Sequence, residues 1–159
     1  MKITIISVGK IKDKKLQDLI DHYAKQIKTI DMIIIPDQPT IQGMEKEGEL
    51  ILNKVPKSSY VIGLAIEGQM VDSEGFAKRL DEITTHQNSH ITFIIGGSFG
   101  LSDAVKSKAD WLVSFSKMTF PHQLMKLILM EQIFRAQAIL NHHPYHKWKV
   151  TNKCSIINL

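Results

Sequence analysis

Three clusters in this 159-residue chain bring together side chains able to do chemistry. The first, Gly96-Gly97-Ser98-Phe99-Gly100, follows directly on the apolar run 91–95. A glycine-rich turn at the end of a buried strand lets a ligand lie against bare backbone, and the helix start after it offers free N–H groups. The spacing Gly-Gly-x-x-Gly is neither the dinucleotide fingerprint nor a P-loop. A tight strand-to-helix turn without a ligand accounts for it equally well. The second cluster is Ser114-Phe115-Ser116-Lys117-Met118-Thr119-Phe120-Pro121-His122. Hydroxyls, a lysine and aromatic rings stand where a plain connection needs only a cap, and Pro121 suits the first turn of a helix. A capping loop with an incidental Lys117 fits as well. The third, His142-His143-Pro144-Tyr145-His146-Lys147, holds three of the seven histidines. Metal ligands need rigid elements to aim them and partners to orient them. Consecutive histidines beside a proline, with no HExxH and no nearby carboxylate, lack both. A base or a phosphate contact is the better reading, with no metal expected.

These clusters need a frame. Residues 2–8 are β-branched and end at Gly9, a strand leading into a turn. Leu16, Leu19, Ile20, Tyr23 and Ile27 recur at spacings of three and four, which predicts a helix over 13–29. A second buried strand is expected at 32–35 and a helix at 45–55. The third strand spans 60–66, with a turn at 67–69. A helix over 73–86 and a strand at 91–95 follow. A short helix from Ser102, a strand at 111–115 and a long helix from about 121 to 141 complete the order. Strands alternating with helices predict an α/β domain with a largely parallel sheet. Their continuous apolar character predicts that both faces are covered. Ligands bind such sheets at the carboxyl ends of the strands, where the first two clusters fall. In the last helix, residues 124–130 are apolar except for Lys126. That pattern predicts burial on every side, one against the sheet and another against a second copy of the chain, with a central core helix of a monomer as the alternative.

Composition sets the outer bounds. Hydrophobic residues at 43% and charged ones at 23% exclude a disordered or fibrous chain, and the length suits one domain. A net charge of +4 and a pI near 9.1 permit an anionic partner without requiring one. Cys154 is the single cysteine, so no intramolecular disulfide and no cysteine metal cage can form. No signal peptide core and no apolar run of membrane-spanning length is present, so a cytoplasmic location is expected.

Taken in order, the motifs resemble the bacterial large-subunit (23S) rRNA pseudouridine-N3 methyltransferases of the SPOUT class. The likeness runs from Met1 through Lys147. It rests on the opening Met1-Lys2-Ile3 with Val8-Gly9-Lys10, on Ile95-Gly96-Gly97-x-x-Gly100-Leu101, and most strongly on residues 114–123. Glu131-Gln132-x-x-Arg135-Ala136 and Tyr145-His146-Lys147 support it. The resemblance implies a trefoil-knotted, largely parallel sheet flanked by helices, a homodimer, and S-adenosylmethionine as cofactor. It implies that Leu64, Gly96, Phe115, Ser116, Lys117, Met118, Thr119 and Phe120 bind that cofactor, chiefly through backbone groups. It also implies ribosomal RNA, on the ribosome, as the partner. On this reading 1–147 is one SPOUT domain and 148–159 an extension that family chains lack. The segment 37–44 is shorter than the family's.

Methyl transfer to N3 requires in-line positioning and removal of the imide proton. His146 is the candidate base or proton acceptor, with Tyr145 and Lys147 shaping the pocket and Arg135 orienting the RNA. Two other readings stand beside this one: a catalytically silent RNA-binding dimer of the same fold, and a metal hydrolase built on the histidine cluster.

Overall fold

A computed structural model describes residues 1–146 of the chain. Lys147 and the extension 148–159 lie outside the described residues. Five strands and five helices alternate: β1 (Lys2–Val8), α1 (Lys14–Gln26), β2 (Ile30–Ile35), α2 (Gly43–Lys54), β3 (Tyr60–Met70), α3 (Ser73–His86), β4 (His90–Ile95), α4 (Asp103–Lys108), β5 (Trp111–Ser114) and α5 (His122–Leu140). All strand pairings are parallel, and the order across the sheet is β2-β1-β4-β3-β5.

The two faces of the sheet carry separate cores, divided by the two-residue period of the strands. Ile3 and Ile5 of β1 join Ile91 and Phe93 of β4 beneath α1, α3 and α5. Ile6 and Val8 join Ile94 on the other face, under α2 and α4. Helix starts follow their side chains: Asp13, Asp72 and Ser102 each accept a backbone N–H in the first turn of α1, α3 and α4.

Three expectations need correction. The 32–35 run is not fully buried: β2 is an edge strand, and Met32 and Ile34 face outward. β3 does not end at Ile66. It pairs with β5 through Leu64, makes an excursion over 65–68, and pairs again from Gln69 to Met70. Gly68 permits this, because a Cβ there would stand 2.7 Å from the Val113 carbonyl carbon. The start of α5 is not buried on every side either. Leu124 is 37% exposed, whereas Lys126 is 3% exposed. The Lys126 stem lies in apolar surroundings as long cationic side chains can. Burial holds its ammonium below the ordinary lysine range, with Asp21 opposing the shift.

Candidate active site

The carboxyl ends of β3, β4 and β5 open into a cleft of about 780 Å³. Leu64 marks the end of the first β3 segment, and Gly96 stands just past β4. Phe115, Ser116, Met118, Thr119 and Phe120 form the wall beyond β5. Lys117 sits in the same loop, exposed, and does not line the cleft. Its fellow hydroxyls fold the loop on itself: Ser114 donates to the Ser116 carbonyl at 2.9 Å, and Ser116 accepts the Met118 N–H at 3.0 Å. The charged lining residues Glu67 and Lys106 are paired with each other at 2.5 Å. Backbone and apolar surface therefore remain for a ligand, in a volume suited to a cofactor.

The glycine turn is supported from behind. A Cβ on Gly97 would come within 3.1 Å of Glu47 Oε2 and 3.2 Å of Asp37 Oδ1. Glu47, from α2, is buried and accepts the Gln38 N–H at 2.7 Å, tying the 37–42 segment to the turn. Burial, with Asp37 adding to it, holds the Glu47 carboxyl above the ordinary carboxylate range. A raised folded-state value means that ionised Glu47 costs stability at neutral pH. Glu47→Gln keeps the acceptor oxygen and removes the charge. It is expected to stabilise the fold at pH 7 by about 0.5–2 kcal/mol. The gain should vanish below the ordinary carboxylate value, where both proteins are uncharged there; thermal melts against pH check this.

A second cavity of about 450 Å³ adjoins the first, and Phe115 lines both. Asp72, Ser73, Glu74, Gln132, Arg135 and His146 supply its polar wall. Glu131 organises that wall. Arg135 donates to Glu131 Oε1 from Nε at 2.9 Å and from Nη2 at 2.5 Å, and Tyr145 donates to the same oxygen at 3.1 Å. The Tyr145 hydroxyl also meets that of Tyr23 on α1 at 3.3 Å, and its ring packs edge-on to Phe134 at 4.8 Å. Burial, followed by the Tyr23 and Glu131 contacts, pushes the Tyr145 phenol well above its ordinary range. The hydrogen-bonded Glu131 keeps the Arg135 guanidinium more firmly charged still.

His146 is placed by the same network. Arg135 Nη1 lies 3.2 Å from His146 Nδ1. A guanidinium only donates, so in this contact Nδ1 is the acceptor and the ring proton resides on Nε2. Nε2 is buried, has no hydrogen-bond partner among the described residues, and stands 3.7 Å from Glu74 Oε1. So arranged, His146 offers a donor; to receive a proton at Nε2 the ring must first leave Arg135. The three residues expected from the sequence, Arg135, Tyr145 and His146, are thus brought together, apart from the larger cleft but sharing Phe115 with it. Sequence reasoning gave three others no role in the site. Glu131 stands four residues before Arg135 and was there to be found as a helical pair. Tyr23 and Glu74 reach the site from α1 and α3, and no local spacing betrays them. Among the described residues, no group of three or more His, Cys, Asp and Glu side chains is gathered in a way that could hold a metal.

Comparison with known proteins decides the family. Residues 1–146 match the family described as predicted SPOUT methyltransferase. The chain belongs to the SPOUT methyltransferases. Within that family it is 69% identical over 147 residues to the ribosomal RNA large subunit methyltransferase H of Acholeplasma laidlawii, covering 92% of this chain and all of that protein. The protein of the same name from Shouchella clausii is 48% identical over 159 residues, again across its whole length. Among solved structures, a probable methylase family protein from Haemophilus influenzae superposes with a TM-score of 0.55 at 12% identity, covering 91% of this chain and 70% of that one. The ribosomal RNA small subunit methyltransferase E of Neisseria gonorrhoeae, bound to S-adenosylmethionine, gives 0.53 at 13%, covering 88% and 66%. These two likenesses establish the SPOUT fold alone. This SPOUT chain is accordingly a methyl-transferring enzyme, and none of its described helices is long and apolar enough to cross a membrane.

Proposed function

We propose that this enzyme moves a methyl group from S-adenosylmethionine to N3 of a pseudouridine in 23S ribosomal RNA, on the assembled ribosome in the cytoplasm. The observation that carries the reading is the pair of cavities meeting at Phe115, one walled by backbone and the other by Arg135, His146 and Glu74. The full-length likeness to ribosomal RNA large subunit methyltransferases supports the substrate. Leu64, Gly96 and the loop 115–120 hold the adenine and methionine parts, with Lys117 contributing through its place in that loop. When bound, the cofactor supplies an electron-poor methyl on sulfur. The protein has to align the acceptor and stabilise it as the proton leaves. The target base leaves its stack and enters the smaller cavity. There Arg135 and the Nε2–H of His146 stabilise the negative charge that develops as N3 gives its proton to water. Tyr145 and Glu131 fix the geometry of both.

The proposal extends to the fold and assembly. Residues 1–147 act as one SPOUT domain with 148–159 as its extension, the C-terminal part is threaded as a trefoil knot, and the active unit is a homodimer. The exposed apolar side chains of Ile66, Phe99 and Met118 at the larger cleft support a covering partner. Soluble monomers seldom leave such surface open. Sedimentation at micromolar concentration should give twice the 18.1 kDa chain mass; a species at 18.1 kDa would refute the dimer.

The deciding experiment is transfer of labelled methyl from S-adenosylmethionine to intact ribosomes and to free ribosomal RNA. Transfer to ribosomes, located to a pseudouridine, is the expected result. Cofactor binding with no transfer to either would leave a silent RNA-binding protein instead.

A further inference from the structure

Resting on the proposed reaction, we infer that Glu74 is the residue that selects pseudouridine over uridine, by accepting the N1–H of the base beside the Nε2–H of His146. Most polar groups in the cavity wall are already engaged. Asp72 is committed to capping α3, accepting the Gly75 N–H at 2.7 Å. Ser73 donates to Gln132 at 2.8 Å, Gln132 donates to Glu131 at 2.6 Å, and Glu131 is bound by Arg135 and Tyr145. Among the described residues lining this cavity, Glu74 is the polar side chain that makes no hydrogen bond, and His146 Nε2 is a buried donor without one. They stand 3.7 Å apart, too far to satisfy each other, with Arg135 fixing the proton on the histidine side.

A donor and an acceptor side by side match an acceptor and a donor side by side. Pseudouridine presents such an edge while leaving N3 free; in uridine the only N–H beside a carbonyl is N3 itself, the atom to be methylated. The sugar of pseudouridine is attached through carbon, so N1 keeps its hydrogen next to the O2 carbonyl. In uridine N1 carries the sugar, and the corresponding ring position offers only C–H. With His146 donating to O2 and Glu74 accepting from N1–H, N3 lies on the far side of O2. It is then free to face Phe115 and the larger cleft, where the methyl is delivered. A site made to bond an N–H disfavours the analogue that lacks it, here because the half-exposed Glu74 carboxylate loses that bond beside the buried His146 donor. Glu74 sits in the first turn of α3, which holds its carboxylate at the cavity wall.

The test uses the full chain and two ribosome preparations, carrying pseudouridine or uridine at the methylated position. Single-turnover transfer rates and ribosome dissociation constants are measured for each. The wild-type protein should prefer pseudouridine. In Glu74→Ala that preference should fall about 10- to 100-fold, the range for one hydrogen bond to a charged group. Glu74→Gln, which keeps an acceptor oxygen and the side-chain size, should restore part of it. Equal losses on both ribosomes, with the ratio unchanged, would overturn the assignment and leave Glu74 a structural residue. A wild-type protein that methylates both equally would overturn it too, with the proposed reaction intact. Transfer to neither would refute the reaction itself.

Discussion

Replacing His146 by alanine is expected to slow methyl transfer about 10²–10⁴-fold, the usual loss when a proton-handling group is removed. Cofactor affinity should hold, because His146 lines the smaller cavity and not the larger cleft. The deficit should narrow as pH rises, since the imide then loses its proton unaided. His146→Gln separates the two roles open to the ring. A glutamine amide can donate as Nε2–H does but has no basicity, so substantial retained activity would identify His146 as a donor. Activity as low as that of the alanine variant would mean that the ring leaves Arg135 and takes the proton. A normal transfer rate in His146→Ala at neutral pH would remove this residue from the chemistry.

Gly96→Val should abolish cofactor binding, and for a reason only the structure supplies. From the sequence, the added side chain is expected to fill space beside the backbone that the ligand needs. In the structure the Cβ would point into the turn itself, with the Gly100 carbonyl carbon at 2.5 Å and the Leu101 nitrogen at 3.0 Å. Backbone cannot yield as a side-chain tip can, so the 96–101 turn must open. Overpacking of this kind typically costs about 1–3 kcal/mol. Titration calorimetry should detect no S-adenosylmethionine binding, and the melting temperature should fall with it. Even Gly96→Ala should show both effects. Parental affinity in either variant would refute the placement of the cofactor against this turn.

The elements were legible because their signals are local. β-Branched runs mark β1 and β4, and the spacing of Phe76, Leu80 and Ile83 marks the buried side of α3. What was illegible depends on neighbours. Met32-Ile33-Ile34-Ile35 is apolar at every position, so periodicity holds no record of which side chains face out; only its place at the sheet edge decides that. Glu67-Gly68-Gln69 carries the composition of a turn, yet Gly68 lets β3 return to the sheet against β5. Around the last helix, Leu124 and Lys126 exchange the exposures their types predict: Lys126 is covered on the side of α1, where Asp21 lies, and among the described residues Leu124 is left exposed. The site divides in the same way. Glycines and hydroxyls clustered in sequence were visible as a binding loop, and Arg135, Tyr145 and His146 as a polar group. The contacts that give His146 its proton position join α3, α5 and the residues after α5, and no stretch of sequence contains them together.

The strand order also fixes when the protein can begin to be itself during synthesis. β1, made first, lies inside the sheet between β2 and β4, and Lys2 pairs with His90. At the usual pace of roughly 5–20 residues per second, that partner is made some 4–18 s after β1. Until then the β1-α1-β2 segment can offer only a two-stranded sheet, which has little stability alone. The cleft is completed later still, since its walls need β5 and α5, the last of the described elements. An enzyme built this way gains its binding site only once the last of its described helices has been made.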